Sequence, residues 1–536
     1  MSVQRRRVRQ VGTHHSQCRF SCTSSSSDEE TTRPAVPAWS LRSPPRLRRQ
    51  SRLPITMLVV VIATTGALFH CGHVSVLHEN HLSFAYLSNT ERELTFRSEM
   101  GFYYSFFKQL ILADSFWKGV DSLFNDTVTE YPNVLENVDS WDTTSWGFLP
   151  AIPPSMSSQG VRVLERFNVY PEVLLAAIYR TLSHLNILDS ECFQVTIDGV
   201  RRDHAVAVPA NHISENSTLP PPLEPMGTLT RDNVLSCEGL REPPIFYVNS
   251  VFCLTCLTVF GLALSGWQVA NCCTGVTSLA TSVVSVWGAV LPLVGFFFNH
   301  GEATRVQWSP PLRESFSYPF FVLQQSVVIW LLKDISPGRR QRGGAFFRKC
   351  LLYICLLLAF QLPWQFAQFA LLTQLFALMA TYAVTLLTTG SSASITPPLF
   401  TAFATRLSDL VVCQLVALFV SWVLQLGNRL LLASVYFPLL IGCLVGLFCH
   451  RSLLNRQKWA SERVTFGGLL PHVLLLTCST LLAAVGVGVV VRRILASTGD
   501  VSDGAHIMDL LKVKLLNATA HKTFHTQLYT CAVEFP

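Results

Sequence analysis

Along the 536-residue chain, long apolar runs alternate with polar connections. The alternation predicts nine membrane spans, near residues 55–73, 245–266, 274–298, 318–332, 350–362, 364–388, 407–426, 430–449 and 466–490. A helix crosses a bilayer core with about 20 apolar residues, and several of these runs fall short of that, so their ends are loosely defined. Residues 171–188 are amphipathic to apolar and are expected to lie on or dip into the membrane surface. Three polar strings interrupt the apolar pattern: ERELTFRSEMGFYYSFFK at 91–108, NHGEATRVQWSPPLRESFSYPF at 299–320 and LPWQFAQF at 362–369. Segments 138–161 and 201–233, rich in Pro, Ser, Thr and Asn, read as insertions unsuited to packed structure.

With 49% hydrophobic and 14% charged residues, the chain is too apolar for an ordinary soluble enzyme and is expected to be an all-α polytopic membrane protein. The net charge of +7 does not point to nucleic acid, because the cations gather in the amino-terminal arm and in short loops beside apolar runs. Residues 1–53, with Arg5, Arg6, Arg7, Arg9 and further arginines over 42–52, read as a disordered cytosolic tail, and 54–73 as an uncleaved signal anchor. Counting spans from a cytosolic amino terminus puts Arg339, Arg340, Arg342 and Arg348 in the cytosol, followed by Arg456 and Lys458, as the positive-inside rule requires. The same count makes 74–244 a luminal region, 245–490 a multi-span bundle and 491–536 a luminal segment. The N-glycosylation sequons at Asn125, Asn216 and Asn517 then all face the lumen.

Most of the sixteen cysteines sit in apolar runs and act as small hydrophobes. Cys253 and Cys256 have CxxC spacing inside a span and lack a second ligand pair, which argues against zinc. Cys192 and Cys237 lie in the polar region and are the best disulfide pair for an oxidising lumen.

In a helix over 91–108, Glu93 and Arg97 stand four apart and satisfy each other, whereas Glu99 has only Thr95, Phe96, Phe102 and Tyr103 at helical offsets. A carboxylate among aromatic groups without a local cation can act as a base or stabilise developing positive charge. The plainer reading is a helix anchored at the membrane surface by interfacial aromatics and salt bridges. In the second string a helix is expected to run through Glu302 and Arg305 until Pro310-Pro311, with Arg313 and Glu314 leading into the next span. Arg305 suits a lipid-linked phosphate through its always-charged fork, or else snorkels or pairs with Glu302. Pro363 breaks the third string, placing Trp364, Gln365 and Gln368 at the luminal membrane edge as a glycolipid groove or an interfacial anchor. Asn299, His300, Glu302, Trp308, Arg313, Trp364 and Gln365 thus outline a possible donor or acceptor groove. His300, like His70 and His73, has no HExxH or carboxylate triad beside it, so no metal site is expected.

The three strings, together with ERFNVYPEVLLAAIYR at 165–180, SCEGL at 236–240 and LYTCAVEF at 528–535, resemble the Dumpy-nineteen-like family of protein C-mannosyltransferases over about residues 78–535. The resemblance implies a GT-C-type glycosyltransferase bundle with luminal loops in the endoplasmic reticulum membrane. It implies transfer of mannose from dolichyl-phosphate-mannose, a substrate rather than a cofactor, to C2 of tryptophan in WxxW sequences of secretory proteins such as thrombospondin repeats. By the same resemblance Glu99 matches the catalytic carboxylate and Arg305 lies near the donor phosphate, and inverting transfer without a metal is expected. The family's relatives are expected to continue beyond Pro536, so a second reading is a catalytically inactive, truncated membrane scaffold of the same fold. A transporter fits less well, since charge gathers at the membrane edge and not at the midplane.

Overall fold

The computed structural model of the chain describes residues 53–97, 99–124, 163–195, 205–207, 234–273, 279–333, 335, 343–389, 397–456 and 466–497. Residues 1–52 of the basic tail and all three sequon asparagines lie outside them. In order, the elements are α1 (Leu53–Leu82), a 3-10 turn (Phe84–Tyr86), α2 (Asn89–Leu94), α3 (Glu99–Leu112), α4 (Phe116–Ser122), α5 (Val163–Arg166) and α6 (Tyr170–His184). Three strands follow, β1 (Ser190–Val195), β2 (Ala205–Ala207) and β3 (Val234–Gly239). The bundle then comprises α7 (Pro243–Cys273), α8 (Leu279–Phe298), α9 (His300–Ala303), α10 (Arg313–Lys333), α11 (Gly344–Gln361), α12 (Ala367–Thr389), α13 (Pro397–Leu424), α14 (Arg429–Ala433), α15 (Tyr436–Arg456) and α16 (Phe466–Ser497).

A chain this apolar folds as helices because each helix satisfies its own backbone polar groups without water. Among the described residues, α1, α7, α10, α11, α12, α13, α15 and α16 are long and apolar enough to cross a membrane, which makes the protein a multi-pass helical membrane protein. The run predicted over 274–298 is the exception. It becomes α8, whose apolar part, Ser282–Phe298, is shorter than the other eight. The first predicted span ends near residue 73, yet α1 continues to Leu82 and carries His78 and Glu79 toward the polar segments.

Helix α7 packs against α1, α8 and α10, and α15 lies along α16. Small residues set the α7–α8 approach: a Cβ on Gly266 would fall against the Gly288 carbonyl, so the two backbones touch only because both are glycine. Polar groups in the bundle pair across helices. The amides of Gln324 in α10 and Gln374 in α12 donate to each other at 3.2 and 3.1 Å. One apolar core joins α10 through α16, and a smaller one joins α1, α7 and α8. A third, rich in aromatics, lies under α3, α6 and the start of α7.

The polar region also holds a three-stranded antiparallel sheet of order β2–β1–β3. Strand β2 falls within 201–233, so that segment contributes a strand although its composition argues against packed structure. Cys192 and Cys237 face each other across β1 and β3 and form a disulfide, as expected. Buried Arg92 ties this sheet to α2. Its guanidinium donates to the carbonyls of Cys237, Phe84 and Ala85 at 2.5, 2.9 and 2.5 Å.

The disulfide closes a sequence separation of 45 residues, worth about 3–4 kcal/mol on the chain-entropy account. Cys192→Ser is expected to lower the melting temperature of the detergent-solubilised chain, and adding Cys237→Ser is expected to lower it little further.

Candidate active site at the start of α10

The segment predicted as one helix over 91–108 is two. A capping box starts α2: the Glu91 N–H donates to Ser88 Oγ at 3.4 Å, and the Ser88 N–H donates to Glu91 Oε2 at 2.8 Å. The helix stops after Leu94, and the Thr95 hydroxyl bonds the Arg92 carbonyl. The break removes the predicted Glu93–Arg97 pair. Glu93 instead accepts from Lys108 Nζ at 2.7 Å and from the Tyr104 hydroxyl at 3.1 Å, one turn apart on α3, and Arg97 is exposed in the connection.

The aromatics of α3 are not an interfacial belt. Phe102, Tyr103, Tyr104, Phe106 and Phe107 are all buried, in one core with Phe167, Phe246, Tyr247 and Phe316. Arg180 of α6 closes the far end of α3 by donating to the carbonyls of Leu110, Ile111 and Ala113 at 3.0, 3.3 and 2.7 Å, groups a helix end leaves without partners.

Glu99 opens α3 and is only 6% exposed. Its carboxylate lies near Arg313, the first residue of α10, and Oε1 has no partner among the described residues. An anion there is favoured by the positive end of the helix dipole. Burial is the larger effect and pushes the Glu99 pKa up to about 7; the Arg313 charge offsets part of the rise, while Glu314 and Glu172 add to it.

The Arg313 side chain turns away from solvent. It forks onto Glu172 of α6, with Nη1 on Oε2 at 2.9 Å and Nη2 on Oε1, and both side chains are almost fully buried. The Tyr247 hydroxyl donates to Glu172 Oε1 at 2.6 Å, and Arg313 Nη1 also donates to the Asn168 carbonyl at 3.1 Å. The guanidinium lies 3.6 Å from the centroid of the Tyr103 ring. Arg313 is therefore a buried structural group and does not line an open groove.

Arg305 keeps its charge at the surface, with its side chain 66% exposed, and ion-pairs with Glu314 Oε1. It does not pair with Glu302, because α9 ends at Ala303 and Thr304 is extended, well before Pro310. The dipeptide Arg313-Glu314 thus stands between the two expected site residues: both of its charges act on Glu99, and the Glu314 side chain holds Arg305. Trp308 is half-exposed beside this turn, and Asn299 and Glu302 are exposed. His300 is buried, with ring centroids 5.4 Å from His70 and 5.0 Å from His73; burial, with His73 adding to it, holds its pKa below the usual imidazole range. That makes it a neutral packing group rather than part of the groove.

Trp364 and Gln365 lie elsewhere, in a polar cleft shared with Asn168, Gln361, Gln368, Gln425 and Asn428. Asn168 links cleft and site, since its amide donates to the Leu362 carbonyl at 2.7 Å while its own carbonyl meets Arg313. Gln361 is buried with neither side-chain polar atom bonded among the described residues. Glu172, Asn168, Tyr247 and Gln361 were not apparent from sequence. Glu172 alone left a trace, a carboxylate on the apolar side of an amphipathic helix.

Fold and site define a multi-pass membrane protein with a buried carboxylate and an exposed arginine gathered at one end of a spanning helix. The chain belongs to the Dpy19 family: the family model described as "Dpy19: Q-cell neuroblast polarisation" matches residues 64–141 and 154–536. The unmatched residues between fall inside the segment 138–161. The chain is similar to "Protein C-mannosyl-transferase DPY19L1" of Mus musculus, 33% identical over 489 residues, covering 90% of this chain and 50% of that protein. It is similar to "Probable C-mannosyltransferase DPY19L2" of Homo sapiens, 32% identical, covering 88% and 49%. It is also similar to "C-mannosyltransferase dpy-19" of Caenorhabditis elegans, 28% identical, covering 89% and 54%. The chain spans about half the length of these relatives.

Because folding raises the Glu99 pKa, its contribution to stability is intact below the ordinary carboxylate value and is lost as pH rises through about 7. The loss is on the order of 3 kcal/mol. Glu99→Gln carries no charge, so the melting temperature of this variant relative to wild type is expected to rise between about pH 5 and pH 8. Equal pH dependence of the two melting curves would show that Glu99 titrates normally.

Proposed function

We propose that this chain transfers mannose from dolichyl-phosphate-mannose to C2 of tryptophan in WxxW sequences of secretory proteins, in the endoplasmic reticulum membrane, with its amino terminus cytosolic. The observation that carries the reading is Glu99 itself, a buried carboxylate with one bare oxygen and a pKa near neutrality, tied through Arg313-Glu314 to an exposed arginine. The names of the relatives agree with it. The side of the membrane is supported by the Cys192–Cys237 disulfide, which suits an oxidising lumen and is bound through Arg92 to the same segment that carries Glu99.

The chemistry needs both groups. The indole C2–C3 π electrons form the new bond to the anomeric carbon as the bond from that carbon to the phosphate oxygen breaks and its electron pair leaves with the phosphate. The ring is then cationic until C2 loses its proton, and Glu99 Oε1 takes that proton so that the C–H electrons restore the aromatic ring. Arg305 can exchange its Glu314 partner for the departing phosphate, and its fork matches two phosphate oxygens. A single phosphate develops less charge than a pyrophosphate, so Arg305 can carry that charge alone and transfer is expected to persist in the presence of a chelator.

The test is mass spectrometry of a thrombospondin repeat co-expressed with the chain in cells lacking endogenous C-mannosyltransferases. A mannose-sized increase on tryptophan is expected. Glu99→Gln, which keeps the size of the side chain but cannot take up the proton, is expected to lose about 10²–10⁴-fold in rate while binding donor. Arg305→Met is expected to lose about 10²–10³-fold. No increase on the repeat despite stable expression would replace this reading with that of a non-catalytic scaffold.

A further inference from the structure

Arg313 meets α3 twice. Its charge acts on Glu99, and its guanidinium lies over Tyr103, one turn further along the same helix. The second contact needs the guanidinium held in one plane, and that is done from outside α3 and α10: by both oxygens of Glu172 on α6, the Asn168 carbonyl and, through Glu172, the Tyr247 hydroxyl of α7. Resting on the transfer chemistry proposed above, we infer that the Glu172–Arg313 ion pair is the positioning device of Glu99. Pinned on Tyr103, the pair fixes the first turn of α3 with Oε1 of Glu99 free to take the proton, and it presents to Glu99 a guanidinium whose charge is already balanced.

The charged groups facing Glu99 are Arg313 and Glu314 from α10 and Glu172 from α6, with Arg305 one step further behind Glu314. Balance within the pair has a signed consequence. Glu172→Gln leaves an uncompensated cation beside Glu99, so the carboxylate ionises at lower pH, whereas removing both charges restores a neutral neighbourhood but loses the pin on Tyr103. A role confined to packing would change the yield of folded protein and leave the pH midpoint where it was.

Initial rates measured on the full chain in detergent, with dolichyl-phosphate-mannose and a WxxW peptide, test this. The wild-type rate is expected to rise through a midpoint near the Glu99 pKa of about 7. Glu172→Gln is expected to move that midpoint down by about one pH unit. Glu172→Gln/Arg313→Met is expected to return it close to wild type with kcat lowered about 10²-fold and KM less affected. An unmoved midpoint in folded Glu172→Gln, or a double variant with wild-type kcat, overturns the assignment. The double variant has no unpaired buried charge and serves if the single one does not fold.

A second readout needs no turnover. The infrared C=O band of protonated Glu99, identified as the band absent from Glu99→Gln, is expected to titrate at lower pH in Glu172→Gln and near the wild-type pH in the double variant. Identical titrations in all three overturn the assignment. A wild-type chain that shows these band shifts yet makes no product would sink the transferase reading while upholding the positioning of Glu99.

Discussion

The fork between Arg313 and Glu172 is the constraint on which the arrangement of the site depends. Two charges taken out of water cost several kcal/mol each unless geometry and additional hydrogen bonds repay it. Here repayment comes from an in-plane fork, a tyrosine hydroxyl, a backbone carbonyl and an aromatic face, supplied by α3, α6, α7 and the Asn168 turn. Four separate stretches of chain must meet at Arg313 for the pair to be tolerated. Once they meet, the start of α10, the start of α3 and the residues leading into α6 have little freedom left.

Glu99 takes its character from that assembly. A carboxylate at the same position on a solvated helix would titrate in the ordinary range and find water for both oxygens. Enclosed by the aromatic core, it has its pKa raised to about 7 by burial and keeps one oxygen bare. Arg305 is the opposite case, an arginine kept at the surface by a partner that competes only weakly in water, since exposed ion pairs contribute little. Burial raises the proton affinity of one group, and lack of burial keeps the other reachable.

Spanning helices and the disulfide were legible because their signals are local or carry a compartment with them: long apolar runs, and two cysteines stranded in a polar region. Glu99 was legible as a carboxylate without a helical cation, but the Glu93–Arg97 pair expected beside it does not form, since Lys108 and Tyr104 hold Glu93. That error has a physical source. Offsets of four residues matter only if the helix is continuous, and the turn after Leu94 ends it. Arg305 was legible but its partner was not, because the extended Thr304 redirects the chain toward Glu314. Glu172 left only its place on the apolar side of α6, and nothing in the sequence pointed to its partner 141 residues away. Strand β2 was masked by a composition that suits loops equally well.

The contacts of Arg92 and Arg313 also impose an order of assembly. Arg92 waits for a carbonyl 145 residues downstream, and Glu172 for a guanidinium 141 residues downstream. While a chain like this is being synthesised, α3 and α6 exist well before α10 does, and contacts at such separations form only after the intervening chain is in place. Until α10 is made, Arg313 and Glu314 are missing from the surroundings of Glu99. Helix α10 is the third of the eight long apolar helices among the described residues, so the groups around Glu99 can assemble before α11, α12, α13, α15 and α16 have been made.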